Sequence, residues 1–176
     1  RLKAWSFRGL LADDMGLVKT VSTLAAVLVA PSPVPLFIAC PKSIVGKWGE
    51  EVSQWLGARC PMVFMLDRPA DLPEVLPAGN VVVVACWGLL STSPQTFEGH
   101  RFRFVVADES QALIHMESGR SQAFLKIRRP AQGRILLSGT PDPNGRAMEY
   151  WAQLRMLDEK RVPRQRAFGQ LLCDPK

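Results

Sequence analysis

Six short apolar segments, separated by segments with helical periodicity, most constrain the fold of this 176-residue chain. Continuous β-branched segments of this kind are typical of strands buried on both faces of a parallel sheet. The predicted strands lie at residues 10–12, 35–41, 62–66, 81–86, 102–109 and 134–140. Apolar residues at helical spacing predict helices at 19–29, 44–56, 118–128 and 147–157. This alternation predicts an α/β fold with a doubly wound, mostly parallel sheet and helices on both faces.

Two groups of residues on the predicted helices invite a structural interpretation. The helix at 44–56 carries Trp48 and Trp55 on the same face as Val52, which favours core positions for both tryptophans. Arg128 and Arg129 lie at the end of another predicted helix. We interpret this pair as a solvated helix end and not as a nucleic-acid site.

The composition, 47% hydrophobic and 22% charged, is typical of one globular domain. No apolar segment approaches the roughly 20 residues of a membrane span, and the first residues lack the apolar core of a signal peptide. We therefore expect an intracellular protein without a membrane contact. The four cysteines are scattered without metal-ligand spacing, which argues against structural zinc. A net charge of +6 suits a polyanionic partner without requiring one.

The segment DDMGLVKT lies directly between the first predicted strand and the first predicted helix. Ligands of such sheets bind beyond the carboxyl ends of the strands. At that position Lys19 would meet the outer phosphates of a nucleotide, Thr20 would hold magnesium, and the helix amides would face the anion. The alternative is an ordinary helix start with a solvated lysine.

Two further strand ends carry polar side chains. Asp108 and Glu109 follow the apolar strand in VVADES; such a pair can hold magnesium through the first carboxylate and polarise the attacking water with the second. Alone, the pair could equally be a solvated turn. The segment LLSGTP is an apolar strand that ends in Ser138, Gly139, Thr140 and Pro141, and by itself it predicts a tight turn. Three such strand ends in this order are far more specific than any one of them.

The segments LLADDMGL-KT, PKSIVGKWGEEVSQW, VVADESQAL and LLSGTP resemble motifs I, Ia, II and III of the Swi/Snf-type ATPases of helicase superfamily two. The resemblance covers nearly the whole chain. It is greatest for the annealing-helicase branch, through DDMGL, VVADESQAL and residues 148–176. It implies a RecA-like lobe with the P-loop NTPase fold, in which residues 1–176 form a single N-terminal helicase ATP-binding lobe.

The resemblance also implies the cofactors, the partner and the site residues. ATP and Mg²⁺ are the expected cofactors, and DNA, contacted through its backbone without sequence preference, is the expected partner. The implied ATP-binding residues are Asp13, Asp14, Met15, Gly16, Leu17, Val18, Lys19 and Thr20, with Thr20 and Asp108 as metal ligands. Asp108 and Glu109 are the implied catalytic residues, and Gln111, Ser138, Gly139 and Thr140 the implied coupling residues. Lys42, Ser43 and Trp87 are the expected DNA contacts.

The chain departs from the family pattern at two positions. Gln111 stands where close relatives usually have histidine, which keeps a hydrogen-bonding side chain there. Val18 replaces the glycine before the lysine, and a β-branched residue there would introduce strain of roughly 1–3 kcal/mol. We expect ATP binding to be weakened by this valine, unless the loop has relaxed into a plain helix start.

We expect a lobe that is incomplete at its start and lacks the second RecA-like lobe with its arginine fingers, because the chain ends soon after motif III. An arginine finger supplies about 10³ to 10⁵ in rate, so we expect the isolated chain to be nearly inactive. The alternative function is a degenerate, non-catalytic DNA-binding or scaffold module with the same fold. A P-loop kinase explains neither the DES nor the SGT segment. The expected location is the nucleus in a eukaryote and the cytoplasm in a bacterium or virus.

Overall fold

The computed structural model describes residues 7–14, 16–31, 33–60 and 62–173. In that part of the chain the strands are β1 (Arg8–Leu11), β2 (Leu36–Cys40), β3 (Met62–Leu66), β4 (Val81–Cys86), β5 (Phe104–Asp108) and β6 (Gly133–Leu137). The helices are α1 (Lys19–Val29), α2 (Val45–Leu56), α3 (Trp87–Thr92), α4 (Gly119–Arg128), α5 (Ala147–Leu157) and α6 (Gln165–Cys173). Short 3₁₀ turns at Lys42–Ile44 and Ser110–Leu113 follow β2 and β5.

The strands form one sheet in the order β1-β6-β5-β2-β4-β3, and every neighbouring pair is parallel. All residues of β2, β4 and β6 are buried, whereas the edge strands β1 and β3 are largely half-buried. This distribution explains the continuous apolar segments of the inner strands, because side chains on both faces of a central strand face the core.

The strand order places helices on both faces of the sheet. The chain moves in one direction from β1 through β2 to β3, and in the opposite direction from β4 through β5 to β6. Because parallel crossovers are right-handed, α1 and α2 cover one face while α3 and α4 cover the other. In agreement, α1 packs against α2, and α3 packs against α4. The predicted doubly wound α/β fold is therefore confirmed.

The predicted elements agree with the structure except in detail. The first strand begins two residues earlier than predicted, at Arg8, and ends before Ala12. Neither α3 nor α6 was predicted. A helix of six residues such as α3 is too short to show helical periodicity, and it continues directly from the last residue of β4.

The structure separates the two tryptophans of α2. Trp48 is 2% exposed, as predicted for a core residue, but Trp55 is 44% exposed, so its predicted core position is wrong. Leu56 lies nearer the centre of the buried face of α2 and takes the core position at that end of the helix. Trp55 lies at the edge of that face, where its indole donates a hydrogen bond to Glu51.

Two buried arginines contact the end of α5 and the segment that follows it. The Nη1 atom of Arg134 in β6 lies 2.8 Å from the carbonyl oxygen of Leu157, and burial lowers the pKa of Arg134 to about 10. Arg128 is 3% exposed, and its Nη2 atom lies 3.1 Å from the carboxylate of Glu159. The predicted solvated helix end is therefore wrong for Arg128, because this end of α4 faces the segment that follows α5.

Gly133 provides space for an aromatic ring and makes the packing of β5 against β6 testable. It is the register partner of Phe104, and a Cβ atom at position 133 would lie 2.3 Å from the buried Phe104 ring. We expect Gly133→Ala to lower the free energy of unfolding by about 1–3 kcal/mol, because the ring must move within a packed core. Urea denaturation measures this change.

The matched control is Gly46→Ala on the exposed side of α2, where a Cβ atom would meet nothing within 4 Å. Alanine favours a helix over glycine by up to about 1 kcal/mol, so this variant should be neutral or more stable. Equal effects of the two substitutions would contradict the packing explanation.

Candidate active site

A cleft of about 370 Å³ lies at the carboxyl edge of the sheet, where the loop after β1 faces the ends of α2 and β5. It is lined by Gly16, Val18, Lys19, Thr20, Val21, Ile44, Lys47, Trp48, Glu51, Asp108 and Glu109. A larger cleft of about 560 Å³ lies at the opposite edge, but its lining contains no carboxylate and none of the predicted site residues. The predicted site residues therefore lie at the smaller cleft.

The loop between β1 and α1 wraps around the ammonium group of Lys19. The Nζ atom donates to the carbonyl oxygens of Asp13 at 2.8 Å and Asp14 at 2.9 Å. Val18 has φ 51° and ψ 35°, the left-handed conformation, and α1 begins at the next residue without a side-chain cap. The first amides of α1 therefore lack side-chain partners, which is the arrangement that binds anions at helix N-termini.

The predicted ATP-binding residues occupy different parts of this loop. Gly16, Val18, Lys19 and Thr20 line the cleft. Asp13 and Asp14 hold Lys19 through their carbonyl groups, and the side chain of Leu17 is 59% exposed. Met15 lies outside the described residues.

Asp108 and Glu109 are brought to the same cleft at the end of β5. The Oδ2 atom of Asp108 accepts a hydrogen bond from the Trp48 indole at 2.8 Å, and Oδ1 accepts one from the Glu109 amide at 2.9 Å. Burial raises the pKa of Asp108, and these two hydrogen bonds partly offset that effect. Glu109 has φ 51°, which places it in the left-handed region at the start of the following turn.

The donor set of the cleft fits a magnesium ion bound together with phosphate. Magnesium usually keeps several waters and takes one or two carboxylates plus phosphate oxygens. Thr20 and Asp108 offer one hydroxyl and one carboxylate to the same cleft. No cluster of three or more acidic, histidine or cysteine side chains suited to a metal occurs among the described residues. The protein donors are thus sufficient only for a cation that takes its remaining ligands from phosphate and water.

A chain of hydrogen bonds connects Glu109 to the end of β6. The Ser138 hydroxyl donates to Oε1 of Gln111 at 2.7 Å, and Nε2 of Gln111 donates to Oε2 of Glu109 at 2.7 Å. The Thr140 amide donates to the Ser138 hydroxyl at 3.0 Å, while Gly139 is the half-buried residue between them. Gln111 thus donates at one end and accepts at the other, as a neutral histidine also can.

The predicted DNA contacts occupy two kinds of environment. Lys42 and Ser43 are exposed on the 3₁₀ turn after β2, at the same edge of the sheet as the cleft. Trp87 is 6% exposed, and its ring packs against Phe124. The prediction of a DNA contact by Trp87 is therefore corrected, because a side chain enclosed within the lobe cannot reach a DNA strand.

Sequence reasoning missed a second buried contact beneath the acidic pair. The Ser110 hydroxyl donates to Oε1 of Gln153 at 2.7 Å, and Nε2 of Gln153 donates to the carbonyl of Pro141. Ser110 and Gln153 are both fully buried. Nothing in the helical pattern of α5 distinguishes Gln153 from a solvent-facing glutamine, so no local signal could have identified it.

Residues 3–175 match the model of the SNF2-related domain family. The chain is 30% identical over 170 residues to a Caenorhabditis elegans homologue of SWI/SNF-related matrix-associated actin-dependent regulator of chromatin subfamily A-like protein 1. It is 28% identical over 172 residues to the human DNA annealing helicase and endonuclease ZRANB3. These alignments cover 96% and 95% of this chain but only 24% and 16% of the respective relatives.

Solved structures with the same fold are also found. The Sulfolobus solfataricus SWI2/SNF2 ATPase core in complex with dsDNA superposes with a TM-score of 0.76 over 96% of this chain, at 23% identity. The Sulfolobus solfataricus SWI2/SNF2 ATPase core domain superposes with a TM-score of 0.72. This chain covers 35% and 34% of those two chains. The RecA-like fold of the SWI2/SNF2 ATPase core is thereby confirmed.

The left-handed conformation of Val18 generates a prediction about stability. A left-handed backbone costs an L-residue roughly 1–2 kcal/mol, whereas glycine adopts it without steric penalty. Because Val18 is 59% exposed, little burial is lost on its removal. We expect Val18→Gly to raise the free energy of unfolding by about 1 kcal/mol in urea denaturation.

Gly16, with φ 89°, is the control in the same loop, and Gly16→Ala should lower stability. A Val18→Gly protein that is less stable than the unmodified chain would show that the valine is not strained.

Proposed function

This chain belongs to the SNF2-related domain family, and on that premise we propose that it is the ATP-binding lobe of a DNA-dependent ATPase and translocase. One observation carries the proposal: Lys19 and Thr20 share a single cleft with Asp108 and Glu109, although Thr20 and Asp108 lie 88 positions apart in the sequence. A phosphate-binding helix start facing an acidic pair is what phosphoryl transfer from a nucleotide requires.

Each side chain then has a specific task. Lys19 exchanges its two carbonyl acceptors for phosphate oxygens, and the first amides of α1 bind the same anion. Thr20 and Asp108 would hold magnesium, which when bound neutralises phosphate charge. Glu109 orients the attacking water and accepts its proton.

The contact between Glu109 and Gln111 provides a connection to the end of β6. Gln111 bonds both Glu109 and Ser138, so a displacement of the Ser138 loop alters the orientation of the Glu109 carboxylate. We assign the coupling of nucleotide state to DNA engagement to this connection, with Thr140 bound to Ser138 on its far side.

DNA is the proposed partner, held through its backbone. Lys42 and Ser43 are exposed on the same edge of the sheet as the cleft, where a phosphate contact carries no sequence information. The net charge of +6 supports a polyanionic partner. Action on DNA implies an intracellular site. Separately, the helices of the described residues include none with the length and apolar character of a membrane span.

Catalysis is proposed to require a second RecA-like lobe. The chain spans about a quarter or less of the relatives it matches, so the activity of a whole motor is not assigned to it alone. In the described residues, none of the side chains lining the cleft is an arginine that could stabilise the transferring phosphate. Hydrolysis by the isolated lobe should therefore be minimal even with DNA present.

The second candidate function is a degenerate module that retains the fold and DNA contact without turnover. Val18 favours it, because its side chain lines the cleft where the family has glycine. The strain at Val18 exists without nucleotide and so lowers stability and not affinity. The methyl groups, in contrast, stand against the incoming phosphate and weaken binding directly.

Titration with a fluorescent ATP in the presence of magnesium tests nucleotide binding. We expect measurable binding, a loss of about tenfold or more in Lys19→Ala because hydrogen bonds to a charged group are removed, and a severalfold gain in Val18→Gly. Lys126→Ala is the control, since Lys126 pairs with Glu98 on the surface and does not line the cleft.

Absence of binding in both the unmodified protein and Val18→Gly would contradict the proposed function and favour the degenerate module. Equal affinities of those two proteins would show that Val18 does not limit the site.

Binding to duplex DNA should be weak, independent of sequence and strongly reduced by salt, because a single lobe contacts mainly phosphates. Lys42→Ala should lower affinity severalfold for two duplexes of unrelated sequence and reduce the salt slope by about 1. Lys160→Ala, an exposed lysine beyond α5, is the control. A loss confined to one of the duplexes would contradict the phosphate contact.

A further inference from the structure

Two buried tryptophans donate hydrogen bonds to the same aspartate of the cleft. The Nε1 atom of Trp48 lies 2.8 Å from Oδ2 of Asp108, and the Nε1 atom of Trp87 lies 3.0 Å from the Asp108 carbonyl oxygen. Trp48 is 2% exposed and Trp87 is 6% exposed. One indole therefore fixes the side chain of Asp108, and the other fixes its main chain.

The two tryptophans reach Asp108 from different elements. Trp48 lies on α2, which covers one face of the sheet, whereas Trp87 begins α3 at the end of β4. Asp108 ends β5, which pairs with β2 and β6 but not with β4. The indoles therefore tie the end of β5 to two elements that are not its hydrogen-bonded neighbours in the sheet.

This arrangement leaves the carboxylate free to bind a cation while it limits rotation of the side chain. An indole N–H is a donor only and cannot compete with the carboxylate for a metal. Each carboxylate oxygen has about two acceptor sites, and the Trp48 indole and the Glu109 amide use one on each oxygen. One acceptor site remains on each oxygen, in a carboxylate whose direction is set by two rigid donors.

We propose that Trp48 and Trp87 are positioning residues that hold Asp108 in the orientation needed to bind magnesium with a nucleotide. This inference rests on the proposed function, because it assigns the metal to Asp108. Neither indole acts on the nucleotide chemically. Their contribution is to restrict the Asp108 side chain before the metal binds. Less rotational freedom is then lost on binding, as for other preorganised ligands.

The test is the gain in affinity for fluorescent ATP that magnesium produces, measured as the ratio of dissociation constants in EDTA and in magnesium. In Trp48→Phe an aromatic ring remains but the donor is lost, and we expect this ratio to fall severalfold, because Asp108 then loses rotational freedom when it binds the metal. Trp87→Phe, which removes a hydrogen bond to a neutral carbonyl, should lower the ratio severalfold. Affinity in EDTA should fall much less than affinity in magnesium in both variants, because neither indole is proposed to contact the nucleotide.

Trp151→Phe is the control, because Trp151 lies on α5, does not line the cleft and donates its indole hydrogen bond to the Pro163 carbonyl oxygen. Its ratio should equal that of the unmodified protein. An unchanged ratio in Trp48→Phe, or an equal loss of affinity with and without magnesium, would overturn the positioning role. A missing magnesium effect in the unmodified protein would instead overturn the proposed function, and the inference with it.

A second measurement uses the unmodified protein, so it does not depend on whether a variant at position 48 folds. In the ¹⁵N spectrum of the unmodified protein saturated with ATP, addition of magnesium should shift the indole N–H signals of Trp48 and Trp87, since both bond to Asp108. The Trp151 signal should stay in place, because its indole donates to the Pro163 carbonyl oxygen. If the Trp48 signal does not move while magnesium raises the affinity, the inference is wrong.

Discussion

The parallel pairing of buried strands is the constraint on which the rest of this structure depends. Because all six strands run in the same direction, their carboxyl ends meet at one edge of the sheet. The register of β5 against β6 and β2 brings Asp108 level with Leu137 and sets it beside the turn that carries Lys42. Polar side chains that are remote in sequence become neighbours only through this arrangement.

Burial at that edge then dictates how the acidic residues are held. A partly buried carboxylate is unfavourable without hydrogen bonds, and Asp108 obtains them from Trp48 and from the Glu109 amide. The polar side chains nearby are also hydrogen-bonded. Gln111 bonds Glu109 and Ser138, and Gln153 bonds Ser110. The ends of β5 and β6 are thereby joined through two separate routes, one through Gln111 and one through Gln153.

Backbone strain is concentrated at the same place. Among the described residues, the non-glycine residues with positive φ are Phe7, Val18 and Glu109, and the last two line the cleft. Such conformations cost roughly 1–3 kcal/mol each and persist where the surrounding structure determines them. Here the start of α1 keeps Val18 in its left-handed conformation, and the hydrogen bond from Gln111 keeps Glu109 in its own. The strain therefore lies in the two segments that face each other across the cleft.

The doubly wound sheet was predictable from the residue periods of buried strands and helical faces, and so was the position of Lys19, Thr20, Asp108 and Glu109 at the ends of strands. The sequence also indicated that Gln111 retained a hydrogen-bonding role. The enclosed position of Trp87, the exposure of Trp55 and the hydrogen bond from Trp48 to Asp108 depend on how the elements pack, which the sequence did not predict. The physical reason is that periodicity reports which face of an element is apolar, whereas the partner of a single polar atom depends on elements far away in the chain.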